Sequence, residues 1–338
     1  MTNALFENGP TILERRPRFE GSNICTWIGF KHVMYLVEEA ILEHFRRCGL
    51  QPRRLFEEQG ICVDIVSSGV RILHALHMDD SVRMEVTPKP TSGSDLIFGV
   101  QMFVNRDGAE LKCVTGKVKV VLLQDHCGIT VTPPANEVSP NIVSERPGSD
   151  RNGHGPGSGR GHEAGGEELI RQLLPPDANA FVWKWRVPYF YCHFTERMQH
   201  SGYLRLMEEV VDLFLANRGI SIWNMLESRR WIPVVPNARL EILADALMEE
   251  TIYTVYAVEN IFKDVTYTSR MDCYVVRNGE LLHTATGQIT HGYAQILNRR
   301  DWALVPFDEY TLAALRGASL PTALRQPELQ ECHAANLQ

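Results

Sequence analysis

Side chains suited to proton transfer gather in one stretch of the second half of the chain. His193 follows the apolar, β-prone run VPYFYC. Because an imidazole titrates near neutral pH, this residue could act as a general base for water or for an α-proton. Glu196, His200 and Tyr203 follow within ten residues and could hold a substrate. Their order predicts a site in a loop between a strand and a helix.

The segment that follows this loop has a counterpart earlier in the chain. GYLRLMEEVVDLFLANRGI matches HVMYLVEEAILEHFRRCGL at an offset of 170 positions. The same offset aligns ILHALHMDDSV with ILADALMEETI, and one inserted residue later RDGAEL aligns with RNGELL. Three matching blocks in one order predict a tandem duplication of a unit of roughly 130 residues.

Each copy is predicted to contain one amphipathic helix followed by an antiparallel meander. Apolar residues recur every three to four positions in the matched segments, which end at Gly49 and Gly219 as capped helices do. Alternating stretches such as SVRMEVTP and TIYTVYAV come next, and the dipeptides DG and NG at 107 and 278 mark hairpin turns. A helix followed by antiparallel strands in each copy predicts the α+β fold class.

The acid pairs at 79–80 and 249–250 precede strands and are predicted to be structural.

Composition divides the chain into four parts. Residues 10–132 are predicted to form an N-terminal domain and residues 177–310 a C-terminal domain. Between them, residues 133–176 are rich in Gly, Pro and Ser without apolar periodicity, which is typical of a flexible linker. Residues 311–338 are predicted to be a tail.

Charge and cysteine usage exclude several classes of function. The 338 residues carry a formal net charge of -7, so no basic field attracts nucleic acid. The eight cysteines are scattered without a C-x-x-C pair. We therefore expect them to be reduced thiols, and we expect no metal site built from them. No stretch approaches about 18 consecutive apolar residues, and the N-terminus lacks an apolar signal segment. We expect a cytoplasmic protein with no membrane partner.

The order of a short strand, a long helix and three or four long strands resembles the hotdog fold, in which a curled sheet wraps one central helix. The second copy is similar to the 4-hydroxybenzoyl-CoA thioesterase-like branch, whose helix starts with an H-x-x-Y-L run followed by a glutamate five residues after the tyrosine. The residues at these positions are His200, Tyr203, Leu204 and Glu208, with Glu209 after them. The first copy keeps Glu38 and Glu39 but has Val33 in place of the tyrosine.

In layout and length the chain also resembles the double-hotdog acyl-ACP thioesterases of plants. The resemblance implies a tandem, or double, hotdog fold in which each unit is a curled antiparallel sheet around one long helix. The two units would pair as a pseudo-dimer within one chain, and a further homodimer is compatible with it.

The resemblance also implies where catalysis takes place. Ten residues before Tyr203, the family's catalytic aspartate falls on His193, and the repeat offset puts Asn23 at the matching place in the first copy. Backbone amides at the two helix starts, 29–33 and 199–203, would polarise the thioester carbonyl. The residues predicted to be catalytic are His193, Glu38, Glu39 and Asn23. Those predicted to bind the acyl group or the pantetheine arm are Glu196, His200, Tyr203, Glu208 and His32.

The leading hypothesis is hydrolysis of an acyl-CoA or acyl-carrier-protein thioester in fatty-acid or polyketide-type metabolism. No cofactor is expected beyond the CoA or phosphopantetheine that carries the substrate. One alternative is a dehydratase or isomerase, which draws on His193 and Glu208. Another is an acyltransferase that decarboxylates its substrate. Because neither copy keeps the catalytic carboxylate, a non-catalytic acyl-carrier-binding protein is the fourth hypothesis.

Overall fold

A computed structural model describes residues 4–7, 9–90, 95–125, 142–143, 165–175, 178–192 and 194–318. The helices are α1 (Ala4–Glu7), α2 (Phe30–Arg47), α3 (Pro52–Gln59), α4 (Gly166–Leu173), α5 (His200–Asn217), α6 (Ile222–Arg229) and α7 (Glu309–Leu315). The strands are β1 (Thr11–Arg15), β2 (Ile61–Ile72), β3 (Val82–Lys89), β4 (Leu96–Arg106), β5 (Ala109–Gln124), β6 (Ile142–Val143), β7 (Ala180–Arg186), β8 (Trp231–Ile242), β9 (Thr251–Phe262), β10 (Thr266–Arg277), β11 (Glu280–Ile296) and β12 (Trp302–Val305). Among the described helices, none is both long and apolar enough to cross a membrane.

The predicted repeat of elements is present. Helices α2 and α5 begin and end 170 positions apart, and the same offset relates α3 to α6 and β2 to β8. Gly49 and Gly219 follow the long helices with φ of +79° and +74°, the left-handed conformation of a helix cap. The turns at 107–108 and 278–279 have positive φ at both residues, which matches a two-residue hairpin. These local predictions are confirmed.

One antiparallel sheet runs through both repeats. Its strand order is β1-β3-β4-β5-β2-β8-β11-β10-β9-β7, with β12 antiparallel to β11 and the short β6 parallel to β5. The two repeats join where β2 pairs with β8, and Gly69 lies opposite Arg239 in that pairing. Because these two positions are equivalent in the repeat, a pseudo-twofold axis passes between them. Helices α2 and α5 pack with the sheet in one hydrophobic core.

A bulge in β2 decides which of its side chains face the helices. Before the bulge, Ile61 and Ile65 are buried in the core. The pairing of β2 with β5 shifts between Ile65 and Ser67, after which Ser68 and Val70 are the buried residues. One extra residue inverts the alternation of a strand. Without it, Ser68 would lie on the outer face of the sheet.

Three parts of the chain differ from the composition-based division. Residues 166–173, assigned to the flexible linker, form α4 because Ile170 packs against Tyr253 and Val255. Helix α7 begins before the predicted tail and continues into it. Helices α3 and α6 lie between the long helix and the meander, where no helix was predicted. Most of the remaining predicted linker lies outside the described residues.

In each acid pair before β3 and β9, the carboxylate of the second acid has structural partners, as predicted. Asp80 accepts hydrogen bonds from the His77 amide and from Arg106, both at 2.8 Å. Glu250 accepts from the Leu247 amide at 2.7 Å and from Arg277 at 2.8 Å. These carboxylates fix the turns that precede the strands.

The core of the second repeat contains a buried histidine. His291 on β11 is 2% exposed, and its ring stacks on that of Tyr267 at a centroid distance of 5.0 Å. Val120 occupies the equivalent position in the first repeat. Burial lowers the pKa of His291 to about 3. The imidazole is therefore neutral in the folded chain at pH 5, whereas an unfolded chain would bind a proton there.

Replacing His291 by phenylalanine is expected to weaken the acid sensitivity of folding. Because the folded pKa lies below the unfolded value, the contribution of neutral His291 is present above pH 6.5 and is lost as the pH falls. Between pH 7 and pH 5 the wild type should lose about 2 kcal/mol through this residue. Urea unfolding of both proteins at the two pH values measures the difference. Equal losses in wild type and H291F would contradict the prediction.

Candidate active site

The two long helices lie side by side with opposite directions. At the start of α2, Lys31 contacts Glu208 in the middle of α5, with Nζ and Oε2 2.5 Å apart. At the start of α5, His200 contacts Glu38 in the middle of α2. Each helix start therefore meets a carboxylate from the helix of the other repeat.

His200 lies between a hydroxyl and a carboxylate. Its Nε2 is 2.6 Å from the Oγ of Ser68 on β2, and its Nδ1 is 2.9 Å from Oε2 of Glu38. Ser68 and Glu38 belong to the first repeat and His200 to the second, so both repeats build the site. We call these three residues the triad. Ser68 is 2% and His200 5% exposed, and the Glu38 side chain reaches 20% exposure.

The hydrogen-bond partners determine the tautomer of His200. A carboxylate can only accept hydrogen bonds, so Nδ1 of His200 carries a proton and donates a hydrogen bond to Glu38. In a neutral imidazole Nε2 is then an acceptor, and the Ser68 hydroxyl donates to it. The unprotonated Nε2 of His200 is thus placed to act as a base toward the Ser68 hydroxyl.

The N-terminus of α5 adds a positive dipole to this site. The helix is 18 residues long and begins at His200, and the first amides of a helix have no acceptor within it. The preceding loop folds back on the helix, since the Gln199 amide donates to the Tyr191 carbonyl at 3.0 Å. A Cβ on Gly202 would lie 2.9 Å from that carbonyl oxygen, so this close approach requires glycine.

The pseudo-equivalent site at the start of α2 has different chemistry. Phe30 stands where the second repeat has His200, and Ala238 stands where β2 has Ser68. Both are buried, at 7% and 2% exposure. Glu208, the equivalent of Glu38, is ion-paired with Lys31. A hydroxyl, an imidazole and a carboxylate thus meet at only one of these two equivalent positions.

Of the residues predicted to be catalytic, the structure places Glu38 in the triad. Glu39 is exposed and lies 3.7 Å from the Arg46 guanidinium, away from His200. Asn23 is exposed in the loop before α2, and its side-chain amide lies against Gly29. His193 lies outside the described residues.

Of the residues predicted to bind substrate, His200 is central to the triad. Tyr203 is fully buried in the core. The Glu196 carbonyl accepts from the Met248 amide at 2.7 Å. His32 is buried at the start of α2, packs edge-on against Tyr35, and has its pKa lowered by burial. Glu208, on which the dehydratase hypothesis drew, forms an ion pair with Lys31.

Sequence reasoning missed Ser68. The one signal in the sequence was a pair of adjacent serines inside the mostly apolar run ICVDIVSSGVRI. A regular alternation extended from Ile61 would put Ser68 outside, and only the bulge brings it to His200.

No family model matches the sequence, and no curated protein sequence matches it. Solved structures do match. An acyl-ACP thioesterase from Bacteroides thetaiotaomicron is 8% identical, with a TM-score of 0.53 over 84% of this chain and 98% of the other. A 12:0-ACP thioesterase from Umbellularia californica is 9% identical, with a TM-score of 0.55 over 83% of this chain and 93% of the other. The predicted resemblance to hotdog thioesterases is thereby confirmed at the level of the fold.

Proposed function

We propose that the chain hydrolyses an acyl thioester at the start of α5, with His200 as the general base. The observation that carries this proposal is the position of His200 between Ser68 and Glu38, at the positive end of a long helix. The fold shared with two acyl-ACP thioesterases supports the same reaction class.

The proposed chemistry assigns one task to each part of the site. His200 Nε2 removes the proton of the attacking oxygen and later returns a proton to the leaving sulfur. Glu38 holds the imidazole in the required tautomer and stabilises the cation that forms. The amides at the start of α5 stabilise the oxyanion that develops on the thioester carbonyl.

The proposal includes the tandem hotdog arrangement. In it, each repeat is one hotdog unit, and the two units pair through β2 and β8 as a dimer would. Two supports are the equivalent positions of Gly69 and Arg239 in that pairing and the solved structures that align across both repeats. The carrier of the substrate is proposed to be an acyl carrier protein, as the names of those neighbours suggest, with CoA as the second candidate from the sequence analysis.

The experiment is an assay of free thiol released from acyl-CoA and acyl-carrier thioesters. Replacing Glu38 by glutamine is expected to lower kcat by about 100-fold or more, because the amide can donate to Nδ1 and favour the wrong tautomer. Glu43→Gln is the matched control on the same helix, since Glu43 pairs with Arg46 and Arg47 at the other end. It should retain the wild-type rate.

Two outcomes would overturn the proposal. If the wild type binds thioesters without releasing thiol, the chain is the acyl-carrier-binding protein of the alternative hypothesis. If a carrier-bound substrate loses water and stays attached, the reaction is a dehydration. Mass spectrometry of the carrier distinguishes the second outcome from hydrolysis.

A further inference from the structure

We infer that the Oγ of Ser68 is the nucleophile, so that the reaction passes through an acyl ester on Ser68. This inference rests on the proposed thioesterase function and adds a covalent intermediate to it. A water molecule activated directly by His200 would give the same products without that intermediate. The two routes therefore differ in a species that can be detected.

The hydrogen bonding of His200 favours the serine over water. Its Nε2 has one lone pair in the plane of the ring, and the Ser68 hydroxyl lies 2.6 Å from it. A water molecule could take the same position only if Ser68 moved away. Both side chains are closed to solvent, and Glu38 is the triad member that reaches the surface. The group already placed for deprotonation is the Ser68 hydroxyl.

The fold itself does not require these polar groups. At the pseudo-equivalent site the same two backbone positions hold Phe30 and Ala238, and both are buried. Apolar residues therefore satisfy the packing at a helix start against this strand. At the start of α5, the bulge after Ile65 turns Ser68 inward to meet His200. Because packing does not require a hydroxyl and an imidazole here, a role in the reaction is the better explanation for Ser68 and His200.

The covalent step balances without any further reactant. Ser68 Oγ forms a bond to the thioester carbonyl carbon while its proton passes to His200 Nε2. The carbon–sulfur bond then breaks, and the thiolate takes the proton from the imidazolium and leaves as a thiol. A water molecule next attacks the acyl ester and gives a proton to His200 Nε2. His200 then passes this proton to Ser68 Oγ as the ester bond breaks. The products are a carboxylic acid and the regenerated hydroxyl.

Partitioning with hydroxylamine tests for the intermediate. The full chain is given one acyl group on two leaving groups, CoA and N-acetylcysteamine, in the presence of hydroxylamine. If both substrates form the same acyl enzyme, the ratio of hydroxamate to carboxylic acid is identical for the two. A ratio that depends on the leaving group would contradict a common intermediate and overturn the inference.

Intact-mass measurement after rapid acid quench locates the acyl group. Wild type should gain the mass of the acyl group, and peptide mapping should place it on Ser68. Ser68→Ala should gain none and lose about 100-fold or more in kcat. Ser67→Ala is the matched control, because Ser67 is the neighbouring residue on the other side of the bulged strand, and it should acylate as wild type does.

The outcomes separate this inference from the proposed function. If Ser68→Ala keeps a near-normal kcat while turnover still depends on His200, the thioesterase function stands and water is the nucleophile. If wild type releases no thiol from any thioester, both proposals fail. Alanine occupies the equivalent position at Ala238, so a folded Ser68→Ala protein is expected, and its circular dichroism spectrum and melting curve verify this.

Discussion

Replacing His200 by alanine is expected to lower kcat/KM for thioester hydrolysis by about 1000-fold or more. General acid–base catalysis by one positioned side chain contributes on the order of 100- to 10,000-fold. In this site the same imidazole must serve both the attacking and the leaving group, so its loss should fall in the upper part of that range. Initial rates of thiol release at saturating and limiting substrate measure kcat and KM separately.

Imidazole added to the solution should restore part of the activity of the His200→Ala protein. The substitution leaves a space between Ser68 and Glu38 that has the size and the hydrogen-bond partners of the missing ring. The control is His74→Ala, because His74 is an exposed residue after β2. If the His200→Ala protein stays within tenfold of wild type, the base is another residue, and His193, the base predicted from the sequence, is the next to replace.

The parts of the fold that depend on short-range patterns were predictable. The apolar period of α2 and α5 and the glycines after them are local signals, and the repeat doubles each of them. The hairpin turns depend on two adjacent residues with positive φ. For the same reason the helix carrying Glu38 and the helix start carrying His200 could be identified before the two were known to touch.

The contacts that assemble the site were not predictable from these signals. His200 and Glu38 are 162 positions apart, and Ser68 and His200 are 132 apart. Their meeting depends on how β2 pairs with β8 and on the bulge in β2, and neither leaves a periodic pattern in the sequence. Helix α4 was hidden in a Gly-rich stretch because it is short and Ile170 packs against residues distant in the sequence, Tyr253 and Val255.

The two repeats differ in the same sense at more than one pair of equivalent positions. Across the pseudo-twofold axis, Phe30 corresponds to His200 and Ala238 to Ser68, with the apolar member at the start of α2 and the polar member at the start of α5. A second pair of positions behaves the same way. Trp27 corresponds to Arg197, and each forms an isolated bridge to the loop before a strand. The region around the start of α5 thus holds an ion pair of Arg197 as well as the triad.

Arg197 connects the repeats beside the start of α5. It is 2% exposed, and its Nη2 is 3.0 Å from Asp64 on β2, with Asp245 4.0 Å from its Nε. Burial disfavours its charge, but the two carboxylates outweigh that effect and raise the pKa of Arg197. In the other half the corresponding Trp27 packs instead in an apolar cluster with Val234, the equivalent of Asp64.

Replacing Arg197 by methionine is expected to lower the free energy of unfolding by about 3–5 kcal/mol at pH 7. The change removes the arginine from beside the partly buried Asp64 and the buried Asp245, and taking the cation away from such a carboxylate is the costly way of breaking a buried ion pair. Guanidinium unfolding at pH 7 measures it.

The double variant Arg197→Met, Asp64→Leu should recover at least half of the lost stability, because the other half of the molecule already uses an apolar pair at these positions. Asp64→Leu alone should be destabilised, although less than Arg197→Met, since Asp245 still faces the arginine. Additive losses in the double variant would show that the two residues act independently. A loss under about 0.5 kcal/mol for Arg197→Met would mean that the ionic link contributes nothing to joining the repeats.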